Sequence, residues 1–239
     1  MDRFLSSYLD IPPLTRTWMT VSALMSLMVQ FRAIAPLHII FDKYYIYKKG
    51  EYWRLFSSFV YFGRFNIHFL FSMFALLSYS GQLERNSFRA RRADYMLFVV
   101  GTALATLAIA HALPDSTSMW GMPLLGPAVV STLMYIWARR NPFMRMSIMG
   151  LVEFPAPVMP FAMMLMGALM SSGIPVWDIV GILLGHTYWF LEDVYPRMPS
   201  RNGLPRGRVL AAPRFLMRLL GDPIPEDPPV VVVVPETAA

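Results

Sequence analysis

Runs of roughly 15 to 20 apolar residues, almost free of charge, recur along this 239-residue chain, close to the length a helix needs to cross a hydrocarbon core about 30 Å thick. Lipid offers no partner for a peptide N–H or C=O, so a crossing segment must satisfy its own backbone, and runs of this length do so as helices. The composition agrees: 56% hydrophobic and 15% charged residues with a mean hydropathy of +0.45 exclude an ordinary soluble enzyme.

Cysteine is absent, which removes disulfide frameworks, thiol nucleophiles and Cys zinc sites. The net charge of +6 and pI near 9.7 would point to nucleic acid only if the basic residues formed one patch. They are spread over loops and tails, so nucleic acid is excluded.

The apolar runs predict an all-α membrane protein with six transmembrane helices, at about 17–41, 65–81, 95–113, 119–138, 154–171 and 175–191. Ala33-Ile-Ala35 resembles a signal-peptide cleavage site, but Asp2 and Asp10 upstream and Pro36 directly after it argue against cleavage. Three units follow: an N-terminal segment 1–16, a membrane domain 17–195, and a tail 196–239 that turns proline-rich and reads as largely disordered. Fifteen of the 21 Lys and Arg residues fall in the tails and even-numbered loops, among them Arg85, Arg89, Arg91, Arg92, Arg139, Arg140, Arg145 and Arg197. The connections at 114–118 and 172–174 have none, which predicts that both termini are cytosolic. The first loop, about 38–64, departs from that pattern. It mixes Tyr44, Tyr45, Tyr47, Tyr52 and Trp53 with Lys43, Lys48, Lys49 and Arg54, a composition suited to the headgroup region and equally to an aromatic belt.

Few residues offer chemistry. Gly181 and Gly185 make a small-x-x-x-small face on the sixth span, which predicts close helix packing. His186 is open to three readings: proton donor, metal ligand, or interhelical hydrogen-bond partner. His38, His68 and His111 lie in other segments, so a metal site is not expected. Asp178 on the same span needs water or a partner. Ser72 and Ser131 read as hydroxyls bonded back to their own helices, and no G-x-S-G nucleophile motif occurs.

Trp53-Arg54 in the first loop, Gly81-Gln-Leu-Glu84 closing span two, and Gly181-x-x-x-Gly185-His186 in span six together resemble the rhomboid superfamily. Ile11-Pro-Pro-Leu-Thr-Arg16, Ser87-Phe-Arg-Ala-Arg-Arg-Ala-Asp94, Trp137-Ala-Arg-Arg-Asn-Pro142 and Gly185-His-Thr-Tyr-Trp-Phe-Leu-Glu-Asp-Val-Tyr-Pro196 resemble, more narrowly, the derlins. The resemblance spans about residues 5–220 and implies a rhomboid-like fold. It also implies that Trp53, Arg54, Glu84, Gly181, Gly185 and His186 are the structural motif residues. Ala128 stands at the position of the rhomboid serine and Asp178 at that of its histidine, so a pseudoprotease with no cofactor is implied. Counting back from Glu84 aligns His68 and Ser72 with the family's oxyanion pair.

The role implied is in endoplasmic-reticulum-associated degradation: a multi-pass protein of that membrane that recognises misfolded clients and helps return them to the cytosol. The implied partners are a membrane ubiquitin ligase, the lipid bilayer and other subunits in a homo- or hetero-oligomer. Many derlins carry a C-terminal F-x-G-x-G-x-x-L box for a cytosolic AAA ATPase; Val230-Val-Val-Val-Val234 stands here instead, so any recruitment is indirect. Short or interrupted spans suit local bilayer thinning. Arg32, Arg64 and Asn66 at span ends would add polar surface, as ordinary snorkelling would too. Two other readings are an intramembrane protease with unconventional residues and a channel or transporter, although no internal repeat favours the latter.

Overall fold

A computed structural model describes residues 6, 8–89, 91–113, 124–148, 152–171, 175–198 and 209–223. The fold is mostly helical. Its helices are α1 (Pro13–Gln30), α2 (Lys43–Lys49), α3 (Arg54–Val60), α4 (Ile67–Ala75), α5 (Arg92–Ala112), α6 (Gly126–Arg140), α7 (Met159–Ser171), α8 (Val176–Trp189) and α9 (Arg214–Leu220). Two of them run on as wider π-helical turns: α4 through Leu76–Ser80 and Leu83–Ser87, and α8 through Phe190–Val194. The helices stand where the apolar runs predict spans. By length and composition alone, only the 21-residue α5 is long and apolar enough to cross a membrane among the described residues. With 15 residues α6 falls short in length; it is buried from Ala128 to Ala138 and packs on α4, α5, α7 and α8. A helix encased by its neighbours has room for Ser131, Thr132 and Tyr135 inside.

Several boundaries differ from the sequence reading. The first run does not continue to residue 41: α1 ends at Gln30, Arg32 adopts φ +59°, and a 3₁₀ turn follows at Pro36–His38. The Arg32 and Ala33 amides donate to Val29 and Met28, the paired bonds of a Schellman cap with arginine in the left-handed position. Glycine takes that conformation without the Cβ penalty, so Arg32→Gly is expected to stabilise the protein by about 1 kcal/mol. A raised unfolding midpoint in detergent would check it; an unchanged one would show that the Arg32 side chain offsets the strain.

The fifth span starts later than expected. Phe154 and Pro155 belong to β2 (Val152–Pro155), which pairs antiparallel with β1 (Arg145–Ile148) in the register Arg145↔Pro155 to Ile148↔Val152. Pro155 and Pro157 lack the amides a helix interior needs, which defers α7 to Met159. The tail differs from a wholly extended segment over residues 209–223. There α9 ends on Gly221 at φ +70°, the Asp222 carboxylate accepts from the Ala93 amide at 2.6 Å, and Asp94 accepts from the Ala212 amide at 2.8 Å. The connections at 114–118 and 172–174, the start of span four, Arg201, Arg206 and Val230 to Val234 lie outside the described residues.

The main core lies between α4, α5, α6 and α8, around Leu76, Tyr79, Leu83, Phe98, Leu133 and Ile136. The first loop adds a smaller cluster of Phe41, Ile46 and Trp177 with Ala128 and Leu125.

Candidate functional site

The residues singled out from the sequence form three separate constructions joined through α6. The first closes the loop between α1 and α4. Asp42 caps α2 by accepting from the Tyr44 and Tyr45 amides, and Gly50 ends it at φ +71°. Facing it, the start of α3 gathers four successive carbonyls of residues 37–40. The Arg54 Nη1 donates to Leu37 and Ile40, the Trp53 indole to His38 at 3.3 Å, and the Ser57 hydroxyl to Ile39 at 2.8 Å. The Arg54 Nε donates to Glu51 at 2.7 Å, and its guanidinium lies 4.6 Å from the Tyr45 ring centroid. Arg54 is 1% exposed, whereas Tyr44, Tyr47, Tyr52, Trp53 and Phe56 point outward. The loop is therefore a folded platform pinned from beneath by one arginine. Of its other cations, Lys43 donates to the Leu113 carbonyl, and Arg64 is exposed. Asn66 accepts from the Phe69 amide at 2.9 Å and caps α4.

The second construction starts from a deficit. Pro12 precedes α1 and has no side chain to cap it. The missing acceptor comes from 69 and 70 residues away: Glu84 accepts from the Leu14 amide at 3.2 Å, the Thr15 amide at 3.0 Å and the Thr15 hydroxyl at 2.8 Å. Its charge also faces the positive end of the α1 dipole. The Thr15 hydroxyl meets Ser80, and Ser80 meets the Tyr95 hydroxyl, so a buried polar chain ties α1, α4 and α5. Glu84→Ala is expected to cost about 2 kcal/mol by orphaning these donors, with Glu84→Gln costing less because it keeps an acceptor. Thermal unfolding of both variants would check the order; equal midpoints would remove the capping role.

The third construction is the seam between α6 and α8, whose contacts advance in the same direction along both helices. The Ser131 hydroxyl donates to Asp178 at 2.5 Å, Thr132 to the Gly181 carbonyl at 2.8 Å, and the Tyr135 hydroxyl pairs with His186 Nδ1 at 2.7 Å. Beyond the helix end, Arg140 forks onto Asp193 at 2.9 and 3.2 Å. A Cβ on Gly181 would lie 2.1 Å from the Ala128 carbonyl oxygen, and one on Gly185 would lie 2.9 Å from Tyr135. Both glycines are thus required by close approach. Ala128 is fully buried under this contact. Beside Asp178 is a cavity of 60 Å³ bounded by Ser72, Ser131, Met134 and Met163, enough for a few waters and no more. The His68 side chain lies outside the described residues.

The sequence predicts that Ser131 bonds back to its own helix; it reaches across to Asp178 instead, because a carboxylate on an apolar helix needs a donor from its neighbour. Thr132 and Tyr135, spaced about one helical turn along the same face as Ala128, carry no motif of their own in the sequence, although a helix facing a Gly-x-x-x-Gly surface has to supply the matching groups.

A family model described as the Der1-like family matches residues 11–206. A protein named Derlin-2.1 from Zea mays is 35% identical over 220 residues, covering 90% of this chain and 85% of that protein. The probable derlin-2 homolog of Dictyostelium discoideum is 32% identical over 213 residues, covering 89% and 81%, and Derlin-1 of Oryza sativa subsp. japonica is 31% identical over 197 residues, covering 82% and 79%.

Proposed function

Because this chain belongs to the Der1-like family, we propose that it is a non-enzymatic factor of endoplasmic-reticulum-associated degradation, which recognises misfolded proteins and assists their return to the cytosol. The observation that carries this reading is the sealed seam at Ala128 and Gly181. Where the rhomboid resemblance would require a nucleophile there is a methyl group, and where it would require a histidine, Asp178 accepts a hydrogen bond from Ser131. Hydrolysis needs a nucleophile, a base and room for the scissile carbonyl. Here the backbones of α6 and α8 are in contact at Gly181, and the cavity beside Asp178 is small, 60 Å³.

The protein is read as a six-span resident of the endoplasmic reticulum membrane with both termini cytosolic. In that orientation the Arg54 platform faces the lumen, and its outward aromatic rings sit among headgroups. The lengths of α6 and α7, 15 and 13 residues, correspond to about 22 and 20 Å at 1.5 Å per residue, short of a hydrocarbon core of about 30 Å. Short helices favour local thinning of the bilayer, which lowers the barrier to moving polar chain across it. Clients, a membrane ubiquitin ligase and an indirectly recruited AAA ATPase are the partners this role requires.

Trp53→Ala is the sharpest test, because Trp53 is exposed and makes one long hydrogen bond while Arg54 carries the loop. Degradation of a misfolded luminal client should slow in a cycloheximide chase with the variant expressed at the wild-type level. Unchanged client turnover would reject the platform as a client-handling surface. Purified protein should leave a transmembrane peptide substrate intact, and cleavage that disappears in His186→Ala would establish the protease reading instead.

A further inference from the structure

At the end of the α6–α8 seam opens a cavity of 940 Å³ that no part of the proposed role uses. Four arginines line it, Arg91, Arg139, Arg140 and Arg197, against two carboxylates, Glu192 and Asp193. The carboxylates are engaged: Arg140 forks onto Asp193, and Arg91 reaches Glu192 at 3.4 Å. Arg139 and Arg197 have no carboxylate partner among the described residues. Arg139 is held in place by aromatic rings, its guanidinium 4.3 Å from the Trp189 centroid and 5.7 Å from that of Tyr135, which His186 fixes in turn. Its Nε is buried with no acceptor. A buried charged donor left open beside a second guanidinium without a carboxylate partner among the described residues asks for an anion, and the planar guanidinium fork pairs bidentately with phosphate oxygens. The rim is apolar, with Phe143 97% and Met198 36% exposed.

We propose that this cavity binds the phosphate headgroup of an anionic phospholipid of the surrounding leaflet, with Arg139 and Arg197 on the phosphate and Phe143 among the acyl chains. A soluble phosphate has no use for the protruding ring, which is why a lipid is the occupant assigned. The site goes beyond the degradation role and needs only that the ends of α6 and α8 meet a membrane surface; the orientation proposed above makes that surface cytosolic.

The test is native mass spectrometry of the full-length protein released from nanodiscs of phosphatidylcholine containing a minority of phosphatidic acid. Wild type should retain phosphatidic acid preferentially, and Arg139→Gln and Arg197→Gln should each reduce retention roughly fivefold, the effect of one cation at a lipid surface. Arg197 is exposed and has no carboxylate partner among the described residues, so its variant keeps the test alive if Arg139→Gln fails to fold. Arg218→Gln, at an exposed position of α9 that does not line the cavity, should retain lipid like wild type. Equal retention of the two lipids, loss in Arg218→Gln equal to that in the cavity variants, or displacement by inorganic phosphate at equal concentration would overturn the lipid assignment. Client turnover is read separately, so failure here leaves the degradation role standing.

Discussion

Gly181→Ala is expected to lower the unfolding midpoint of the detergent-solubilised protein by roughly 6 to 20 °C, the shift that about 3 to 5 kcal/mol produces in a chain of this size. The added methyl would sit 2.1 Å from the Ala128 carbonyl oxygen and 2.9 Å from the Ser131 Cβ. The first neighbour is backbone in the first turn of a buried helix, so relief requires α6 and α8 to part by roughly 1 Å or more in an interior packed like a crystal. Overpacking of this kind costs typically 1 to 3 kcal/mol. Separation also stretches the Thr132 bond to the Gly181 carbonyl and the Ser131 bond to Asp178, each worth about 1 kcal/mol or more in a buried setting. Gly185→Ala is the internal comparison. Its methyl would meet the Tyr135 Cβ at 2.9 Å and two ring carbons at 3.0 and 3.1 Å, a milder overlap than the 2.1 Å at Gly181, so about 1 to 2 kcal/mol is expected. A Gly181→Ala midpoint within about 2 °C of wild type would mean that the helices are not held at this distance.

The contrast between these glycines also measures how far the sequence could be read. Apolar run length located the helices, and the x-x-x spacing of Gly181 and Gly185 located the tightest contact, because both signals are local and periodic. What local signals cannot carry is the identity of a distant partner. The cap on α1 comes from Glu84, 69 residues on from Thr15, and the only local trace was the lack of any capping side chain at Pro12. Asp222 reaches the Ala93 amide across 129 residues, from a stretch whose prolines suggest an extended tail. Ser131 and Asp178 each stand out in the sequence, but a hydroxyl in a helix has its own carbonyl within reach, and the parallel course of α6 and α8 is what brings the carboxylate to it. The β1–β2 hairpin was hidden for a different reason. Four-residue strands beside an apolar run look like part of the run until Pro155 and Pro157 are weighed as breaks.

Arg54→Met is the second variant with a large expected effect, about 3 to 5 kcal/mol, and it separates a buried structural cation from its exposed neighbour. Among the described residues, Arg54 satisfies the Leu37 and Ile40 carbonyls and neutralises Glu51 at 2.6 Å, while stacking near Tyr45. Methionine fills most of the volume but leaves a partly buried carboxylate without its countercharge, the situation in which breaking a buried pair is costly. Arg54→Lys keeps the charge yet reaches fewer of these acceptors from a single point, so an intermediate loss is expected. Trp53→Ala should cost about 1 kcal/mol or less, since its one hydrogen bond is 3.3 Å long and the ring is 58% exposed. The location of the damage is as specific as its size. Residues 37–40 and 51–57 should gain hydrogen exchange in Arg54→Met while α6 and α8 stay protected, because Arg54 makes several of the platform's ties at once and none of the seam's. A double-mutant cycle with Glu51→Gln should then show coupling of at least about 1 kcal/mol, as expected for residues sharing one buried network. If Arg54→Met is no less stable than Trp53→Ala, or the cycle shows additivity, the loop is held by its apolar contacts at Phe41 and Ile46, and the arginine merely occupies the space beneath it.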